Sequence, residues 1–176
     1  MPSTSSTFST RRLSLSLAAV ATVAVAGFSV ISNLTPATAQ PPSVVSVSGG
    51  VHPGTVARGG KGEVTVTLAI KPGWHVYASD PGNANYIPTT VVTNAAKGVT
   101  FSKPRFPKAQ SLKTTVDPKP VNVYQGKAII AIPFMVAKTA KPGKQMLTAK
   151  IGYQTCNDRM CQPPETIPVT VSVMVK

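Results

Sequence analysis

Hydrophobic and polar residues alternate with a period of two along most of this chain. The cleanest run is Glu63 to Ile70: Val64, Val66, Leu68 and Ile70 share one face, and Thr65, Thr67 and Ala69 the other. Such a run predicts a strand with one face on a core. Val44, Val45 and Val47 open an earlier strand, and Trp74–Ala78, Thr89–Thr93, Val99–Ser102, Ala128–Val136, Lys144–Tyr153 and Thr166–Val175 read as further strands. Turn signals separate them: Lys71-Pro72-Gly73, Asp80-Pro81-Gly82-Asn83, Lys97-Gly98 and Lys141-Pro142-Gly143. No helical period appears beyond the N-terminal segment. Seven or more short strands at this spacing predict an all-β, immunoglobulin-like β-sandwich. The stretch from Ser102 to Gly126 is the least regular, with Phe106, Leu112, Val121, Val123 and Tyr124 among prolines and lysines. A long loop carrying apolar residues packs on the body or covers something. Pro88, Pro104, Pro107, Pro118, Pro120 and Pro133 argue for edge strands and stiff loops.

The first residues follow another logic. Arg11 and Arg12 form a basic start, Leu13 to Ile31 is apolar and uncharged, and Ala37-Thr38-Ala39 is a small-residue cleavage site. This is the pattern of a secretory signal peptide over residues 1–39, with Gln40 first in a mature domain that runs to residue 176. An uncleaved anchor is the competing reading, since the apolar run nearly reaches bilayer length. No cysteine lies near the site to carry a lipid. Thr10-Arg11-Arg12 hints only weakly at twin-arginine export, because Ser14 stands where an apolar residue is expected. No later segment reaches membrane length, so the expectation is a periplasmic or secreted protein with no stable membrane insertion after cleavage.

The formal charge is +13, and removing Arg11 and Arg12 leaves +11. Nucleic acid is not the expected partner. The lysines are scattered singly, without the interleaved aromatics of a stacking platform. A solvated basic surface, attracted to anionic headgroups or acidic partners, fits better.

Candidate chemistry lies in Tyr153-Gln154-Thr155-Cys156-Asn157-Asp158-Arg159-Met160-Cys161-Gln162-Pro163-Pro164-Glu165, which holds both cysteines of the chain. Alternating runs lead in (Leu147, Ala149, Ile151) and out (Ile167, Val169, Val171, Val173, Val175), so the segment sits at the end of a hairpin. The cysteines would then face each other. They are too close in sequence to be the inter-sheet bridge of an antibody domain. A disulfide closing so small a loop stabilises by only about 2 kcal/mol by loop entropy, against about 4.7 kcal/mol for a hundred-residue loop. Three readings stay open: a structural bridge, a reversible redox pair and a zinc site. The last lacks two further ligands, as His52 and His75 have no metal-ligand spacing. Arg159 would favour a thiolate and Asp158 oppose it. No catalytic triad motif and no phosphate-binding glycine loop is present.

Read in series, Gly73-Trp74-His75-Val76-Tyr77, Ile87-Pro88-Thr89, Phe106-Pro107, Val123-Tyr124-Gln125-Gly126 and the YQ-x-C…C-x-PPE block resemble the N-terminal periplasmic domain of the thiol–disulfide interchange protein DsbD. The resemblance spans roughly Val44 to Val175. It implies an immunoglobulin-like domain that works without a bound cofactor or metal, relaying electrons to or from thioredoxin-like redox proteins or a separate membrane electron transporter, as a thiol–disulfide oxidoreductase of the protein-disulfide reductase type. By the same resemblance Cys156 and Cys161 are the disulfide and redox pair, Cys161 exchanging and Cys156 resolving. Val121 to Gly126 matches a cap loop, making Val123 or Tyr124 the candidate lid, and Tyr77 and Tyr153 would line the site. Two departures stand out. Four residues rather than five lie between the cysteines, and Asn122 and Val123 stand where better-known members carry acids. The membrane and thioredoxin-like domains do not follow, so the expectation is a stand-alone module. The rival class is a non-catalytic binding or adaptor sandwich with a structural disulfide.

Overall fold

The structure is a computed structural model that describes residues 43–94, 97–114 and 119–176. The signal segment and the Gln40–Pro42 leader lie outside the described residues. Everything regular among the described residues is strand: β1 (Val45–His52), β2 (Thr55–Val56), β3 (Lys61–Ile70), β4 (His75–Tyr77), β5 (Thr90–Asn94), β6 (Val99–Phe101), β7 (Gln110–Leu112), β8 (Val121–Tyr124), β9 (Lys127–Val136), β10 (Gly143–Tyr153), β11 (Thr155–Cys156) and β12 (Glu165–Val175).

The strands form three four-stranded sheets, ordered β1-β3-β9-β6, β2-β12-β10-β5 and β11-β4-β8-β7. The first two make the immunoglobulin-like sandwich. Alternation dictates what each buries. Val64, Val66, Leu68 and Ile70 of β3, with Ile130, Ile132, Phe134 and Val136 of β9, meet Leu147, Ala149 and Ile151 of β10 and Val169, Val171, Val173 and Val175 of β12 in one core. Removing that apolar surface from water is the main favourable term. Gly49 lets the sheets approach on the β1 side, since a Cβ there would fall 2.2 Å from Val169 Cγ1.

Pro133 departs from the edge-strand expectation. It lies within β9, between β3 and β6. A proline is tolerated there because β6 has ended at Phe101 and the chain rejoins only at the Arg105↔Ala131 bridge. The missing N–H faces that gap, while the Pro133 carbonyl accepts from Ser102 N at 2.8 Å. Arg105 also pairs with Glu63 on the neighbouring strand.

The third sheet positions the site. The hairpin is in register from Gly143↔Val175 to Tyr153↔Glu165. Past Tyr153 the chain changes sheet, and β11 pairs with β4 as Thr155↔Val76 and Cys156↔His75. One face of this sheet (Val76, Ala78, Tyr124) joins the main core. The other carries a second cluster of Tyr77, Val121, Val123 and Cys156, with Tyr86 and Leu112 packed against it.

Candidate functional site

Cys156 and Cys161 are joined by a disulfide, with Cα atoms 4.0 Å apart. They face each other as an isolated antiparallel bridge, as the hairpin reading expects. Their surroundings differ. Cys156 is 1% exposed, inside the second cluster. Cys161 is exposed and borders a cleft of about 210 Å³, shared with His75, Tyr77, Thr114, Asn157, Asp158, Arg159 and Met160. The end of the hairpin is therefore open at one sulfur-bearing residue and closed at the other.

The turn between the cysteines is held by hydrogen bonds that do not involve sulfur. Asn157 N donates to the Met160 carbonyl at 2.9 Å. Asn157 Oδ1 accepts from Arg159 N and Met160 N, each at 2.9 Å. An Asn side chain mimicking a backbone turn is a standard device for a tight reversal. Below it, Gln162 N donates to the Thr155 carbonyl at 2.8 Å, and Gln154 Nε2 donates to the Gln162 carbonyl at 3.2 Å. Asp158 and Arg159 both line the cleft, so Cys161 has a cation and an anion nearby rather than one sign of charge.

An aromatic row backs the disulfide. Tyr77 stacks on Tyr86 with ring centroids 4.2 Å apart, and His75 meets Tyr77 edge-on at 5.6 Å. Thr89 fixes this row from behind, its hydroxyl donating to the Tyr77 carbonyl at 2.6 Å. His75 is 2% exposed, and its Nε2 is enclosed without a hydrogen-bond partner among the described residues. Burial holds the His75 pKa below its ordinary value, partly opposed by the negative charge of Asp158.

The residues read from sequence as lining the pair separate into two groups. Tyr77 lines the cleft and Val123 belongs to the cluster around Cys156. Tyr124 and Tyr153 are in the main core instead. Val121 to Tyr124 is not a loop but β8, hydrogen-bonded to β4 on one side and β7 on the other. Strand parity puts Val123 on the cysteine face and Tyr124 on the opposite face. The Tyr124 hydroxyl accepts from Ser79 N at 3.2 Å, which anchors the turn after β4. The Tyr153 hydroxyl donates to Glu165 Oε2 at 3.1 Å, closing the hairpin ladder beneath the cysteine turn. Burial, then the Glu165 charge and this hydrogen bond, raise the phenol pKa well above its usual value.

Asn157, Tyr86 and the burial of His75 escaped the sequence reading. The first was legible in principle, since Asn directly after a cysteine in a four-residue turn is an Asx-turn signal. Among the described residues, no three His, Cys, Asp or Glu side chains converge as a metal-binding group.

Fold and site together define an all-β sandwich with an asymmetrically exposed disulfide on an accessory sheet. The sequence profile described as "Thiol:disulfide interchange protein DsbD, N-terminal" matches residues 51–172, and the chain belongs to that family. Among solved structures, the N-terminal periplasmic domain of ScsB from Proteus mirabilis is similar at 12% identity and a TM-score of 0.54, over 75% of this chain and 48% of that one. This chain thus spans about half the length of that domain. The DsbD N-terminal domain of Neisseria meningitidis, in its reduced form, aligns at 21% identity and a TM-score of 0.44, over 63% of this chain and 77% of that one. No curated protein matches significantly.

Proposed function

We propose that this protein is an exported thiol–disulfide exchange module that relays electron pairs through Cys156 and Cys161 to or from thioredoxin-like partners. The observation that carries the reading is the asymmetry of the pair: Cys156 is sealed at 1% exposure, whereas Cys161 is open beside a cleft. Exchange proceeds by in-line attack of a thiolate on one disulfide sulfur, so the sulfur a partner reaches takes the mixed disulfide. Here that sulfur is on Cys161, and Cys156 is the resolving thiol.

When a partner dithiol reduces the protein, its thiolate attacks Cys161, the Cys156–Cys161 bond breaks, and Cys156 leaves with the electron pair. A second partner thiolate then displaces Cys161, and the partner becomes the disulfide. The reverse sequence reduces a partner disulfide. The electrons are carried by sulfur alone. Met160, 57% exposed on the cleft, offers a flexible apolar contact to a docking protein. The turn held by Asn157 keeps the sulfurs opposed in either redox state, because its hydrogen bonds do not depend on the bridge.

Trapping tests the roles. Reduced Cys156→Ser protein, offered a thioredoxin-like protein in its disulfide form, should accumulate a mixed disulfide through Cys161. Trapping by Cys161→Ser alone would reverse the roles, and trapping by neither would leave a structural bridge in an adaptor domain.

Export belongs to the same proposal and rests on the N-terminal pattern of Arg11, Arg12 and Ala37-Thr38-Ala39. Among the described residues no helix is long and apolar enough to cross a membrane. An intact mass beginning at Gln40 supports cleavage, whereas a mass retaining Leu13 to Ile31 means an anchored protein.

A further inference from the structure

Among the described residues, three polar side chains are buried: His75, Thr89 and Thr155. The Thr89 hydroxyl is used by the Tyr77 carbonyl. His75 Nε2 has no hydrogen-bond partner among the described residues, which costs desolvation free energy with nothing made in return. The ring that carries it sits on the strand position opposite Cys156. His75 and Cys156 are register partners on antiparallel strands, so their side chains leave the same face, with Cβ atoms about 4.5–5.5 Å apart. The cleft that exposes Cys161 is lined by His75 as well.

Cys156 has a proton problem. A resolving thiol attacks as a thiolate, so it must first lose its proton. At 1% exposure it has little access to bulk water as the acceptor. The geometry points to His75 Nε2 as the proton acceptor for Cys156 in the resolving step, a role that rests on the exchange reading above.

The step starts from a mixed disulfide between Cys161 and a partner sulfur. The Cys156 S–H bond breaks and its proton passes to Nε2. The Cys156 sulfur forms the bond to Cys161, and the bond from Cys161 to the partner breaks. The partner sulfur leaves as a thiolate with the electron pair. The protein's dithiol is oxidised, the partner's disulfide is reduced, and the imidazolium holds the proton until it is returned to solvent.

The surroundings act on the acceptor in both directions. Burial keeps the imidazole neutral and free to take a proton, while lowering its proton affinity. The charged groups sharing the cleft are Asp158 and Arg159 of the cysteine turn. Tyr77 borders His75 on its own strand, Thr114 is the polar group beyond β7, and β8 brings only Val121 and Val123 to this face. Asp158 stabilises the imidazolium once formed.

The test is two-phase stopped-flow oxidation of the reduced protein by one equivalent of 5,5′-dithiobis(2-nitrobenzoate). The first nitrothiolate released reports attack by Cys161, and the second reports resolution by Cys156. In His75→Gln the second phase should slow by about 10²-fold and lose the imidazole ionisation from its pH profile, with the first phase within about twofold of wild type. A second phase within about twofold of wild type with an unchanged profile would overturn the role. Failure of the exchange reading is read separately, as the absence of any mixed disulfide between the Cys156→Ser protein and a thioredoxin-like protein, whatever the two phases show. If His75→Gln does not fold, ring nitrogen NMR of the wild type decides. His75 should change its ionisation or tautomer between the disulfide and dithiol forms, and identical titrations in both would overturn the proposal.

Discussion

Cys156 and Cys161 face each other with Cα atoms 4.0 Å apart, yet one is 1% exposed and the other opens onto a cleft. Register brings them together, and the change of sheet after β10 separates their environments. Cys156 follows β11 under the aromatic row, while Cys161 sits on the outgoing chain before β12. A bridge that only pinned the hairpin would not require this difference, because the ladder from Gly143↔Val175 to Tyr153↔Glu165 already fixes the strands.

Reduction should therefore leave the fold intact. Loop entropy assigns the bridge about 2 kcal/mol, and for a domain of this size that is a fall in Tm of roughly 5–12 °C. Thermal melts followed by circular dichroism, with and without reductant, measure it. Unfolding at moderate temperature on reduction alone would mark a structural staple.

Tyr86, not Tyr124, should control access to the reduced pair. Tyr86 stacks on Tyr77 against the cluster that holds Cys156. Tyr86→Ala is expected to raise the alkylation rate of the reduced pair severalfold with a modest loss of stability. Tyr124→Ala should instead cost roughly 3–5 kcal/mol, as for other large aromatic truncations in a core. Iodoacetamide kinetics alongside denaturant melts distinguish the two.

Asn157→Ala removes the oxygen that accepts from Arg159 N and Met160 N. At about 1 kcal/mol per hydrogen bond, partly recovered from water, stability should fall by about 1–2 kcal/mol. The looser turn should also hold the thiols together less well and make the disulfide easier to reduce. Urea titration and a glutathione redox titration check the two effects.

The pH dependence follows from His75. Its pKa is lowered in the folded state, so between that value and the ordinary one of about 6.5 the unfolded chain binds more protons. Stability contributed by the neutral imidazole is present above about pH 6.5 and is lost as pH falls toward the folded value. Urea midpoints should drop between pH 7.5 and 5.5 in the wild type and drop less in His75→Gln. Equal slopes would show that His75 does not carry the effect.

The long strands were legible because each buries one face on the core, so alternation survives in Glu63–Ile70 and in Val169, Val171, Val173 and Val175. Of the elements of two to four residues, β4 and β6 were read within Trp74–Ala78 and Val99–Ser102, but β2, β7, β8 and β11 were not. β7, β8 and β11 are too short to show a period, and they build the sheet that carries the site. Missing β8 as a strand also hid the parity that sends Val123 toward the cysteines and Tyr124 away. The cysteine pair itself could be read from spacing. Its asymmetry could not, because the chain changes sheet after Tyr153, and that depends on pairing with β4, distant in sequence.

The reduction potential of the Cys156–Cys161 couple tests the central claim most directly. Equilibration of the protein against defined glutathione or dithiothreitol ratios, with thiols counted by alkylation and mass, yields it. A relay that exchanges with thioredoxin-like partners should lie in the span of about −270 to −120 mV occupied by such proteins. A value well below about −300 mV, the range of structural bridges in exported proteins, would contradict the account.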